Sequence, residues 1–176
     1  EIPKPQRAWF IGGGINNNGD FAFLDTVNTN SRSFWQGNAE TNFGDIVVLY
    51  GLSPRSEIHS IWRALRDGSV EPFFYFYSTV WIGKPIRVNP LKLKDIKSDP
   101  ILSKMPLVRG NMQGINGREI SKTYYDQILN LLEANGTDIS VLPRLENQFV
   151  KNVLIKKEKD VEQKILEPLL VDLGFI

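Results

Sequence analysis

The sequence predicts a small α+β barrel of five to six strands with flanking helices and a further helix at the C-terminal end. Three observations predict it. Short apolar stretches of strand length recur through the first ninety or so residues, Gly, Asn and Pro clusters separate them, and an amphipathic helix closes the region. The chain has 176 residues, 41% hydrophobic and 23% charged, which suits one folded domain of ordinary core size. No run of about eighteen apolar residues occurs, so no membrane partner is expected. The chain has no cysteine and a single histidine, His59. That excludes disulfides and thiolate metal sites, makes a zinc centre or a Ser-His-Asp triad a poor reading, and fits a cytoplasmic location. A formal net charge of +1 is not the strongly basic signature of a protein that grips many phosphates, so any nucleic-acid contact is expected through a local pocket and a local basic rim. The aromatic load of four Trp, ten Phe and five Tyr supplies rings both for a core and for stacking on bases.

The elements follow in order. Arg7 to Gly12 is a short apolar strand, ended by Gly12, Gly13 and Gly14. This triplet lacks the spacing of a dinucleotide-binding loop, and Asn-rich coil follows it. Asp20 is placed to cap a short helix carrying Phe21, Phe23, Leu24 and Val27. The Trp35-Gln-Gly-Asn38 segment is too polar for a strand. Ile46 to Tyr50 is a continuous apolar strand. Glu57 to Leu65 is a strand holding His59, Ile61 and Trp62, and Asp67-Gly68 is a turn. Pro72 to Ile82 is an aromatic strand broken by Gly83-Lys-Pro85, and Ile86 to Val88 is a separate short one. Helical turns are expected over 93–97 and 101–105, then a strand from Pro106 to Gly110 and a loop over 112–117. Ser121 caps a helix whose Tyr125, Ile128, Leu129 and Leu132 share one face, and Asn135-Gly136 ends it. Residues 137–157 read as a linker, and 158–173 as a second amphipathic helix whose apolar face needs a cover. A chain opening on Glu-Ile-Pro-Lys-Pro reads as an excised segment.

Five stretches, in this order, resemble the EVE family of the PUA-like superfamily, which includes the ASCH and YTH readers. They are Ala8-Trp9-Phe10, Trp35-Gln-Gly-Asn38, Gly44-Asp45 to Tyr50, Pro106-Leu-Val-Arg-Gly-Asn-Met-Gln-Gly114 and the helix from Tyr124 to Leu132. The resemblance covers about residues 7–133 and implies a modified-base-binding domain over 1–136. The Asn-rich insertion after the first strand, and Gly51-Leu52 after Tyr50, depart from that pattern. The tail, Glu158 to Phe175, resembles the opening helix of a restriction-endonuclease-like nuclease domain. That implies a nuclease downstream, in the same chain or a partner, whose catalytic core is absent here. Glu162 would then be a helix carboxylate near its metal site in the longer protein.

The resemblance implies no cofactor, no metal and no catalytic residue in this chain. Its expected partner is nucleic acid, modified DNA ahead of RNA. A base read whole must leave the stack, at a cost of a few kcal/mol, and stacking on an aromatic face returns about 1–3 kcal/mol. Trp9, Trp35 and Tyr50 are the expected cage walls. Asn38, Asn111 and Gln113 are expected to read the base edge, because amides both donate and accept. Arg109, Arg118 and Lys122 are expected at flanking phosphates. Each residue also has a plainer role. Trp62 and Trp81, inside apolar strands, are expected to be core, and one of Trp9 and Phe10 must be. Asn111 and Gln113 could close a loop, Lys92, Lys94 and Lys97 a solvated face, and His59 is expected to have no chemical task. An RNA reader of the same fold, a nuclease within this chain and a protein-interaction domain are the rival readings. The carboxylates Asp45, Glu57, Asp67 and Glu71 form no set with a Lys that would suit the nuclease.

Overall fold

The computed structural model describes residues 1–15, 19–73 and 78–146. One compact unit spans Glu1–Leu145. The expected second helix and nuclease-like tail, 158–176, lie outside the described residues.

The strands are β1 (Ala8–Gly13), β2 (Arg32–Gln36), β3 (Ile46–Gly51), β4 (Glu57–Ala64), β5 (Ser69–Val70), β6 (Ser78–Lys92) and β7 (Arg118–Ile120). The helices are α1 (Asp20–Thr26), α2 (Leu93–Ser98), α3 (Pro106–Arg109) and α4 (Lys122–Ala134). The strands form one mixed sheet in the order β2-β6-β4-β3-β1-β7, with β5 paired to β6. β1 and β3 run parallel, with Gly12 opposite Tyr50, and the connection between them carries α1 and β2. The other ladders are antiparallel. This is the α+β architecture that the sequence predicts, with β2, β5 and β7 as strands the sequence reading did not place.

Two apolar clusters, one on each face of the sheet, hold it together. Ala8, Phe10, Ile46, Val48, Tyr50, Ile58 and Ile61 pack against Tyr125, Ile128, Leu129 and Leu132 of α4. Ile11, Val47, Leu49, Trp62, Ala64, Val80 and Ile82 face the other way, with Trp35 and with Leu24 of α1. The period of two along each strand sorts the residues between faces. Ser121 caps α4 by accepting from the N–H of Tyr124, and Gly136, at φ 88°, continues the chain beyond its end in the left-handed region.

Several expectations are corrected. Trp35-Gln36 belongs to a strand. Trp35 points inward while Arg32, Phe34 and Gln36 point outward, the pattern of an edge strand covered on one side. Pro106–Arg109 is a helical turn with Pro at its start, where a missing N–H costs nothing. Gly83-Lys-Pro85 does not split the strand, because register shifts against β4 absorb the irregularity and β6 runs on to Lys92. Asp20 does not occupy the cap position of α1, which falls to Gly19 at φ 84°. The folded body also extends past Gly136. Leu142 and Leu145 join the core, and the Tyr125 hydroxyl donates to the carbonyl of Pro143 at 2.7 Å. The first part of the expected linker is therefore part of the domain.

Candidate functional site

At the C-terminal end of β1 four segments close on one another. The indole N–H of Trp35 donates to the carbonyl of Gly12 at 2.9 Å. The Gly12 N–H donates to Oδ1 of Asn116 at 2.8 Å. The Gly14 N–H donates to a carboxylate oxygen of Asp20 at 2.9 Å. Asn38 donates its amide to the carbonyl of Gly117 at 3.0 Å, and its Oδ1 accepts from the N–H of Glu40. Glycine is needed twice here. A Cβ on Gly117 would sit 2.8 Å from the backbone of Gly37, and one on Gly12 2.6 Å from Ile115. At Gly13 a Cβ would lie 3.2 Å from the Trp35 ring, so bare backbone lines that side of the indole.

Phe23 of α1 forms the other wall. Its ring centroid is 6.0 Å from that of Trp35 and 6.1 Å from that of Trp62, and Phe23 itself is half-buried. Beside it, Arg55 pairs with Asp25 at 2.9 Å and lies over the Phe21 ring at 4.2 Å. The Arg55 guanidinium holds the Asp25 carboxyl below its ordinary value. Beneath α1 is a buried chain of polar groups. The Trp62 N–H can only donate, so Ser60 Oγ accepts it at 2.7 Å. The Ser60 proton is then free to go to Nδ1 of His59, 2.8 Å away. That assignment puts the histidine proton on Nε2, which is buried and has no partner. The two neighbours meet because His59 falls in a bulge: Ile58 pairs with Tyr50 and Ser60 with Leu49. Burial pushes the His59 pKa down, and Arg87 and Arg55 push it the same way.

Of the three expected cage walls, the structure brings only Trp35 to this junction, where at 8% exposed it is a buried residue with one edge near the surface. Trp9 is 2% exposed and lies three residues back along β1, about 10 Å at strand rise. Its indole N–H is bound to Asp45. Tyr50 is 2% exposed and belongs to the core cluster on the opposite face of the sheet from Trp35. A three-ring cage is therefore not assembled, because strand alternation and core burial take two of its rings elsewhere. Asn38 sits at the mouth but spends its amide on Gly117. Arg118 is exposed and bonds the carbonyl of Gly114, on the loop that closes the mouth. Asn111, at φ 54°, accepts from Lys97 of α2. Gln113 and Arg109 are exposed, and Lys122 is paired with Asp126. The sequence reading missed Phe23 and Asn116 as site residues. The Gly-Ile-Asn-Gly run, 114–117, was the available signal for Asn116: an Asn between two glycines where backbones meet.

No family model and no curated protein matches this chain. Solved structures do. Protein Atu2648 from Agrobacterium tumefaciens superposes with a TM-score of 0.58 at 15% identity, over 80% of this chain and 99% of that one. Rpa0253 from Rhodopseudomonas palustris gives 0.52 at 16% identity, over 73% and 94%. These two share its fold. A YTH domain from Zygosaccharomyces rouxii, solved in complex with N6-methyladenosine RNA, gives 0.47 at 11% identity, over 75% of this chain and 90% of that one. At such identities the likeness is one of fold alone. Among the described residues no helix is long and apolar enough to cross a membrane, and no three His, Asp or Glu side chains gather as metal ligands would.

Proposed function

We propose that this chain is a nucleic-acid-binding module that receives one modified base, a cytosine derivative in DNA, at the Trp35 mouth, and that it directs a nuclease domain following it. The observation that carries this reading is the placement of Trp35. Its ring is locked by the bond to Gly12, lined by the bare backbone of Gly13 and faced by Phe23. A base flipped out of a duplex costs a few kcal/mol, and one indole face returns about 1–3 kcal/mol, so stacking offsets the flip. A methyl group placed against apolar wall adds on the order of 1 kcal/mol. Phe23 lies against the indole, its ring centroid 6.0 Å away. It sits on a helix of seven residues whose Gly19 cap makes no side-chain hydrogen bond, and which is held to the body by buried Leu24 and the Asp25–Arg55 pair. Arg118, exposed and bonded to Gly114 on the same loop as Asn116, supports a contact to a flanking phosphate. The resemblance of the tail to a nuclease domain supports DNA over RNA and a targeting role.

The test is a binding titration with one oligonucleotide series: unmodified, 5-methyl-, 5-hydroxymethyl- and glucosylated cytosine, and N6-methyladenine, each single- and double-stranded, in DNA and in RNA. The reading expects tighter binding to one cytosine modification in DNA, with a shallow salt dependence because few phosphates are engaged. Preference for a modified base in RNA would transfer the function to RNA. Equal affinity across the series, or none, would remove it.

A further inference from the structure

Outside the Trp35 mouth, the strongest unassigned feature lies on the other side of the same edge strand. Side chains of β2 alternate, so Trp35 points into the core and Phe34 points away from it. Phe34 stands opposite Trp81 of β6, and their ring centroids are 4.0 Å apart. Trp81 was expected to be core. It is half-buried, Phe34 is 36% exposed, and neither belongs to either core cluster. Two guanidinium groups attend the pair. Arg66 lies 5.2 Å from the Phe34 ring centre, its charge shared with Glu71 at 3.6 Å. Arg32 is exposed on the same face of β2, opposite Gly83, which has no side chain to cover it.

We propose that Phe34, Trp81, Arg32 and Arg66 form a second binding surface, for single-stranded nucleic acid. Flat aromatic faces accept any base by stacking, and guanidinium groups beside them accept phosphate oxygens. A protein partner would find apolar area here too. The two cations flanking two rings favour a ligand that alternates flat rings with negative charge. The surface needs no modified base, so it does not depend on the Trp35 reading.

The experiment measures fluorescence anisotropy of labelled, unmodified oligothymidylate and oligouridylate of about twelve nucleotides with the purified chain. Expected is measurable binding to at least one of them. Phe34→Ala weakens it about tenfold, and Phe34→Leu, which keeps apolar packing but removes the ring, weakens it similarly. Arg32→Gln and Arg66→Gln each lower the slope of log affinity against log salt by about 0.7. Thermal melting checks that each variant is folded. All four variants keep whatever preference the chain shows for a modified base, whereas Trp35→Ala loses that preference and keeps binding to the unmodified strands. Unchanged affinity in folded Phe34→Leu and Arg66→Gln, or no binding of either oligonucleotide by the unaltered chain, would overturn the proposal and leave the patch to a protein partner.

Discussion

The indole N–H of Trp9 donates to Oδ2 of Asp45 at 2.9 Å, inside the protein. The same fully buried carboxylate accepts from the backbone N–H of Arg7 at 3.1 Å, of Gln6 at 3.3 Å and of Asn42 at 2.9 Å. One side chain thus ties the entry of β1 to the entry of β3, the parallel pair of the sheet. Removing it strands the buried indole donor and three partly buried backbone donors at once. Asp45→Ala is expected to cost 3 kcal/mol or more, roughly, and Trp9→Phe about 1–2 kcal/mol. Urea unfolding midpoints check both. A Trp9→Phe variant that also loses base preference while remaining stable would return Trp9 to the site.

The Tyr125 hydroxyl is the corresponding tie for the end of the domain. It is buried, burial raises its pKa, and it donates to the Pro143 carbonyl. Tyr125→Phe should cost about 1 kcal/mol and raise hydrogen exchange selectively over 139–145. Exchange mass spectrometry shows whether the loosening is confined to that segment.

How much of this was legible in the sequence depends on what each residue pattern encodes. β3 and α4 were readable because a continuous apolar run and a 3.6-residue apolar face each name their element. Residues 32–36 were not, since a strand covered on one side offers only alternate apolar positions and this one is short. Alternation also tells which residues share a face without telling which face is buried. That is why Trp9, Trp35 and Tyr50 could be grouped as a cage when the fold distributes them otherwise, and why Trp81 could be placed in the core when it faces outward. The mouth itself depends on approaches between residues about a hundred positions apart, such as Gly12 with Asn116, which no local pattern carries.

His59 makes stability depend on pH. Its folded pKa lies below the ordinary 6.5 because burial and two arginines disfavour the charged form. The unfolded chain therefore binds the proton more readily. No penalty exists above about pH 6.5, and stability falls as pH drops from there toward the folded pKa, by at most about 1.4 kcal/mol per pH unit for one proton. His59→Gln should flatten stability over that window. Urea unfolding of both proteins across it tests the sign, and an unaltered slope in the variant would assign the loss to other groups.

Gly117 combines φ 76° with backbone of Gly37 at 2.8 Å from any added Cβ. Gly117→Ala is expected to cost about 2 kcal/mol or more and to open the Asn38 contact. Base binding should fall with it, whereas binding at the Phe34–Trp81 surface should persist in whatever fraction remains folded.

The claim that a base stacks on Trp35 is tested most directly at its own indole N–H, whose NMR resonance is assigned by its loss in Trp35→Phe. On addition of the oligonucleotide that binds best, this signal and that of the Phe23 ring are predicted to shift together and saturate with the binding curve, while the signal of Trp9 stays in place. A complex that forms fully while the Trp35 and Phe23 signals do not move would contradict the account.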